Sequence, residues 1–260
     1  MNPPAAYRAC QLSGLTLAQI AALPDKARAT VLVATGAIEQ HGPHLPVAVD
    51  ALMGEVWLSL ALARLPAETR CYVAPPITIG KSNEHTGFPG TLSISKETLR
   101  AQLLALARQL HAWGFRRLVV LNNHGGNTAV LCYVLREIAS THAMSAELLR
   151  PEFDFGLAPQ EAKFGFHAGE LETAWMLAVA GPHVDMAQAR CEFPARLDAP
   201  GQLRPEAAPA RFAWVTRDVS ASGIMGDATA ATREKGERWL AHGAKCIAAA
   251  IEQFGRKAPD

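Results

Sequence analysis

Short apolar runs alternate with longer stretches whose apolar residues recur at helical spacing. Val31-Leu32-Val33-Ala34-Thr35 is continuous, β-branched and closed by Gly36, the pattern of a buried strand. Ala51 to Leu65 carries the helical period, with Asp50 placed as its N-cap. Cys71 to Ala74 reads as a second strand, stopped by Pro75-Pro76. Lys96 to Trp113 is helical, and Gly114 supplies a C-terminal stop. Arg117 to Leu121 is the clearest strand and runs into Asn122-Asn123-His124-Gly125-Gly126-Asn127. A helix over Thr128 to Thr141 and a strand over Ala146 to Leu149 follow. Gly80 to Thr91 and Pro151 to Phe166 are irregular by composition. Ala168 to Ala180 and Ala228 to Phe254 are helical, and Pro182 to Arg211 reads as an excursion rather than a boundary. Strands alternating with helices predict an α/β fold, its sheet mostly parallel with helices on both faces. Residues 1–260 are read as one domain.

Composition narrows the function more than the fold. A formal net charge of +1 provides no basic excess for nucleic acid or an anionic membrane. The five cysteines are scattered, odd in number and form no Cys-x-x-Cys pair, which argues against a disulfide framework and for a reducing compartment. The first 22 residues lack a signal-peptide pattern, and no run of about 18 apolar residues occurs. The expected location is cytoplasmic, with no membrane partner.

The polar clusters fall where an open parallel sheet binds ligands, at the carboxyl ends of its strands. Gly36 to His44 follows the first strand and Asn122 to Asn127 the third. Glu39 and His41, two apart in an extended segment, face the same way. Asp50 offers a carboxylate able to bridge two cations, and His124 arrives from the other strand end. A Glu, His, Asp and His set suits zinc, manganese or iron. Each residue also has an ordinary structural role: Asp50 as a cap, His124 in a turn, Glu39 and His41 in a solvated loop, His44 as a hydrogen-bonding residue. His167, Glu170 and Glu172 form a third cluster, in which helical geometry lets only one glutamate face the site.

Glu39-Gln40-His41-Gly42-Pro43-His44-Leu45-Pro46 with Asp50, Glu84-His85 leading to Phe88-Pro89-Gly90-Thr91, Asn122 to Asn127, and His167-Ala168-Gly169 with Glu172-Thr173 together resemble the creatininase (creatinine amidohydrolase) family. The matches run in order from about Leu15 to Ala180. The resemblance implies a three-layer α/β/α sandwich, two divalent metal ions (Zn, Mn or Fe) and a homo-oligomer, often a hexamer. It implies Glu39, Asp50 and His124 as ligands of one metal, and His41, Asp50 and a glutamate as ligands of the other. In creatininase that glutamate lies two residues after the histidine of the third-strand motif. Here the position is Gly126, and Glu172 is the replacement implied by relatives sharing His-Gly-Gly-Asn. His167 matches the acid/base histidine, while Ser82, Asn123 and Gly125 are candidate substrate contacts, with backbone N–H groups at Ser82 or Asn123-His124 for the oxyanion.

The activity so implied is a metal-dependent amidohydrolase. It would cleave a C–N bond, other than a peptide bond, of a small cyclic amide or formamide through a two-metal activated hydroxide. The tryptophans that close over creatinine in creatininase have no counterpart in Pro151 to Phe166, which offers Phe153, Phe155, Phe164, Phe166 and Lys163. The family also contains formylaminopyrimidine deformylases, a peptidase of peptide-cofactor maturation and hydrolases of cyclic keto compounds. A nucleotide- or anion-binding protein using His-Gly-Gly-Asn as a nest is the alternative of another class. It lacks support from a G-x-G-x-x-G or P-loop signature.

Overall fold

Alternation along the strands decides the layering. Val31 and Val33 enter one apolar cluster while Leu32 and Ala34 enter another, and Leu118 and Val120 separate from Val119 and Leu121 in the same way. These two strands therefore bury both faces, as the centre of a parallel sheet covered by helices requires. The computed structural model describes residues 5–195, 197, 199, 203 and 214–256.

In chain order the elements are α1 (Ala5–Cys10), α2 (Leu17–Ala22), β1 (Thr30–Thr35), α3 (Val49–Leu62), β2 (Cys71–Val73), α4 (Lys96–Ala112), β3 (Arg117–Asn122), α5 (Thr128–His142), β4 (Ser145–Leu148), α6 (Pro159–Phe164), α7 (Glu170–Ala180), β5 (Cys191–Glu192), α8 (Thr216–Val219), β6 (Gly226–Asp227) and α9 (Arg233–Arg256). Strands β2, β1, β3 and β4 form a parallel sheet in that order, and β5 pairs antiparallel with β6. Leu103, Ala107 and Leu110 of α4, with Leu131, Val134 and Ile138 of α5, cover one face. Met53, Trp57 and Leu58 of α3, Met176 of α7, and Ile247, Ile251 and Phe254 of α9 cover the other. Each fully buried leucine or phenylalanine in these layers contributes about 1.5–3 kcal/mol. The result is a three-layer α/β/α sandwich.

Three expectations need correction. Helix α3 begins at Val49 and Ala48 at its N-cap makes no side-chain bond, so Asp50 lies inside the first turn and is not the cap. Helix α9 begins at Arg233, because Asp227 accepts the Thr229 N–H at 3.1 Å and turns residues 228–230 into a separate short helix. The irregular stretch from Pro151 contains α6. In Pro182 to Arg211, residues 196, 198, 200–202 and 204–211 lie outside the described residues. No helix among the described residues is long and apolar enough to cross a membrane.

Candidate metal centre

The register of β1 and β3 sets Thr35 beside Asn122, so the two polar clusters leave the sheet side by side. Gly36 makes the next step possible. A Cβ there would lie 2.7 Å from the backbone carbonyl of Asp50, so only glycine lets the chain leaving β1 press against the first turn of α3. Asn127 fastens the loops around it. Its amide nitrogen donates to the Gly36 carbonyl at 3.0 Å and its amide oxygen accepts the Lys81 N–H at 2.9 Å.

Glu39, His41, Asp50 and His124 are all at most 5 % exposed and converge. One oxygen of Asp50 lies 3.2 Å from His41 Nε2 and the other 3.2 Å from His124 Nδ1. Glu39 Oε2 lies 3.2 Å from His124 Nδ1, and Glu172 Oε2 lies 3.8 Å from His41 Nε2. Glu39, Asp50 and His124 present ligand atoms within 4.8 Å of one another, as do His41, Asp50 and Glu172.

The backbone sets the histidine tautomers. A carbonyl only accepts, so His41 Nδ1–H donates to the Glu39 carbonyl at 3.1 Å and His124 Nε2–H to the Lys81 carbonyl at 3.0 Å. His167 Nε2–H donates to the Gln40 carbonyl at 2.6 Å. Each ring thereby turns its other nitrogen toward the carboxylates, the arrangement of metal-binding histidines held by a backbone partner. His41 Nε2 and Asp50 Oδ2 are buried with no hydrogen-bond partner. Such groups are costly unless a proton or a cation satisfies them, and the donor set suits a divalent ion.

The titration behaviour has the same cause. Burial works against a charged His41, yet Asp50, Glu172 and Glu39 push its pKa up to about 10. His124 is likewise raised, against burial, by Glu39 and Asp50. Burial works against an ionised Asp50, but His41 and His124 hold it well below its usual range. Burial lifts Glu172 to about 7. Burial, then the positive charge at His41, holds His44 down at about 4, and its Nε2 pairs with Thr173 Oγ1 at 2.8 Å. His167 is pushed well down by burial and by neighbouring His41 and His85. With no metal, protons on His41 and His124 take the place of the cation's charge.

His167 and Glu172 come from a segment outside the main sheet. His167 bridges to Met225, and Ala168 adopts a left-handed φ of 53°, which aims its N–H at Glu172 Oε2, 2.5 Å away. Buried Glu161 ties this segment down. It accepts the Glu170 N–H and the Asp227 N–H, each at 2.8 Å. Of the two α7 glutamates, Glu172 enters the centre while Glu170 pairs with Lys235.

A cavity of about 600 Å³ opens beside Asp50, His124 and Glu172, with Trp57, Phe153 and Trp175 on its walls. Asn123 and Gly125 line it. Ser82 is fully buried, and its hydroxyl donates to Glu39 Oε2. Gly126 has room for no side chain: a Cβ would lie 2.2 Å from Glu84 Oε1 and 2.4 Å from the Lys81 carbonyl. Lys163 Nζ sits 5.0 Å from the Phe164 ring centre. Gln40, His85 and Glu161 had no assigned role from sequence. The Gln40 amide nitrogen reaches His85 Nδ1 at 2.8 Å and the Gly223 carbonyl at 3.2 Å. Only the run Glu84-His85 before Phe88-Pro89-Gly90-Thr91 hinted at His85.

Residues 13–251 match the family described as creatininase, creatinine amidohydrolase. The mycofactocin precursor peptide peptidase of Mycolicibacterium smegmatis is 36 % identical over 215 residues, 81 % of this chain and 79 % of that protein. The creatinine amidohydrolase of Pseudomonas putida is 30 % identical over 243 residues, 86 % of this chain and 88 % of that one. A structure of creatininase with Mn aligns at a TM-score of 0.74 with 27 % identity, covering 95 % of this chain and 99 % of its own. The chain belongs to the creatininase family, and is a hydrolase acting on carbon–nitrogen bonds.

Proposed function

We propose that the chain hydrolyses an amide with two divalent metal ions. Glu39, Asp50 and His124 would hold one and His41, Asp50 and Glu172 the other, with Asp50 common to both. The observation that carries this reading is the set of buried histidines whose ring N–H groups go to backbone carbonyls while their bare nitrogens face carboxylates. When bound, such a pair acidifies a water and polarises a carbonyl. With its Nε2–H committed to the Gln40 carbonyl, His167 Nδ1 is a base that takes a proton from the attacking water and passes it to the leaving nitrogen. Ser82 orients Glu39, while Asn123 and Gly125 stand where substrate enters. Zinc, manganese and iron all suit the donors. Assembly as a homo-oligomer, as in the family, belongs to the same reading.

The cavity falls within the range that encloses drug-sized ligands. Its aromatic wall favours an amide with an apolar body over a minimal ring such as creatinine. A second reading, a peptidase, draws on the 36 % identity to a precursor peptide peptidase. The test is a panel of cyclic amides, formamides and short peptides, assayed with and without a chelator. Turnover that stops on chelation and returns with zinc, manganese or iron supports the proposal, and the substrate turned over separates the two readings. Turnover indifferent to chelation contradicts both. A melting temperature raised by ATP or NAD but not by metals favours the anion-binding alternative.

A further inference from the structure

Glu39 is only half used by the two ligand sets above. Its Oε2 meets Ser82 and His124, but Oε1 faces the other way, 3.6 Å from His167 Nδ1 and 3.5 Å from His85 Nε2. His85 Nδ1 accepts from the Gln40 amide, so its Nε2 carries a hydrogen and is a donor at Oε1. His167 differs. Its Nε2–H is committed to the Gln40 carbonyl at 2.6 Å, so Nδ1 meets Oε1 with a bare lone pair. The His41 ring lies 4.1 Å from the His167 ring, centroid to centroid, and its Nε2 is fully buried without a hydrogen-bond partner.

Ligand atoms of Glu39, His41 and His167 lie within 4.8 Å of one another, and all three residues are buried. Once His41 gives up its proton, two imidazole lone pairs and a carboxylate oxygen turn on one another in a dry pocket, an arrangement that a cation among them satisfies. Two imidazoles and a carboxylate, with a fourth position for water, form an ordinary donor set for zinc.

We infer that Glu39, His41 and His167 form a second seat for the metal ion held by His41, an inference that rests on the two-metal reading. His41 has one bare nitrogen, so its metal sits either with Asp50 and Glu172 or with Glu39 and His167. In the second seat His167 surrenders the lone pair it needs for proton transfer. That position is therefore a resting state, reached without displacing the ion held by Glu39 Oε2, Asp50 and His124.

The test is zinc content by elemental mass spectrometry on the full chain, after equilibration with zinc and removal of free ion. Four proteins are compared: wild type, His167→Ala, Glu172→Ala and the double variant. The inference predicts about two equivalents in the first three and about one in the double variant. Glu172→Ala falling to one equivalent, or the double variant holding two, overturns it. Wild type holding none overturns the two-metal reading itself, a distinguishable result. Circular dichroism checks folding, and Glu172→Gln with His167→Asn replaces any variant that fails to fold. Cobalt gives an independent readout: the absorption of the second equivalent persists in Glu172→Ala and disappears when His167 is also removed.

Discussion

Half of the centre stands on the sheet and half hangs from it. Glu39, His41, Asp50 and His124 follow β1 and β3, whose six register pairs and buried faces fix where the two exits lie. His167 and Glu172 sit beyond α6, tied by one bridge to Met225 and by the carboxylate of Glu161. The sheet-borne half holds the convergent carboxylates, which repel unless protons or a cation lie between them. The loop-borne half carries the proposed proton-transfer group, whose position depends on a few polar contacts. Damage to the first half should strip metal from the centre, whereas loss of His167 alone should spare metal and harm turnover.

The largest effect is expected at Asp50, which faces both His41 and His124. Asp50→Ala should remove several kcal/mol of transition-state stabilisation, a loss on the order of a thousandfold in kcat. His167→Ala should lower kcat by roughly 10²–10⁴-fold, with KM and metal content near wild type. A parallel loss of metal would shift its role from chemistry to scaffold.

Glu161 sharpens the contrast. Glu161→Ala leaves the N–H groups of Glu170 and Asp227 without their partner, and each buried orphan costs about 1–3 kcal/mol. A lowered Tm with a lowered kcat and unchanged metal content is expected. An unchanged kcat would mean that His167 is held by other means.

The pH dependence has a definite sign. His41, raised to about 10, and Glu172, raised to about 7, both bind protons more tightly in the folded, metal-free protein than when unfolded. Their contribution to stability is complete at low pH and is lost as pH rises through these values. The depressed His44 and His167 act in the opposite sense below about pH 6.5, so the Tm of metal-free protein should fall from about pH 6.5 toward pH 10. Because a metal must displace the same protons, its apparent affinity should rise over the upper part of that range. An affinity flat from pH 6 to pH 9, measured by titration calorimetry, would place the metal elsewhere. The smallest effect belongs to the exposed Arg100–Glu137 pair, where Arg100→Ala should change stability by less than about 1 kcal/mol.

The same division explains what was legible in the sequence. Alternation and β-branching located β1 and β3 within one residue, and the clusters at their ends were therefore placed on one edge. Asp50 was assigned to a cap because a carboxylate before an apolar helix ordinarily caps it. The structure shows it one turn position inside, where Gly36 opens the space for it. His85 and Gln40 lie 45 residues apart, and Thr216, 2.9 Å from His85 Nδ1, is 131 residues from it. Contacts of that separation leave no periodic signal. Glu161 was hidden for a related reason: its partners are backbone N–H groups, which any sequence supplies.

The central claim is that two metals share Asp50, and metal content tests it most directly. Protein purified without chelator is measured by elemental mass spectrometry, wild type beside Asp50→Ala. About two equivalents in the wild type, falling sharply in the variant, is the predicted result. Equal metal in both proteins, or none in the wild type after incubation with zinc, manganese and iron, would contradict it.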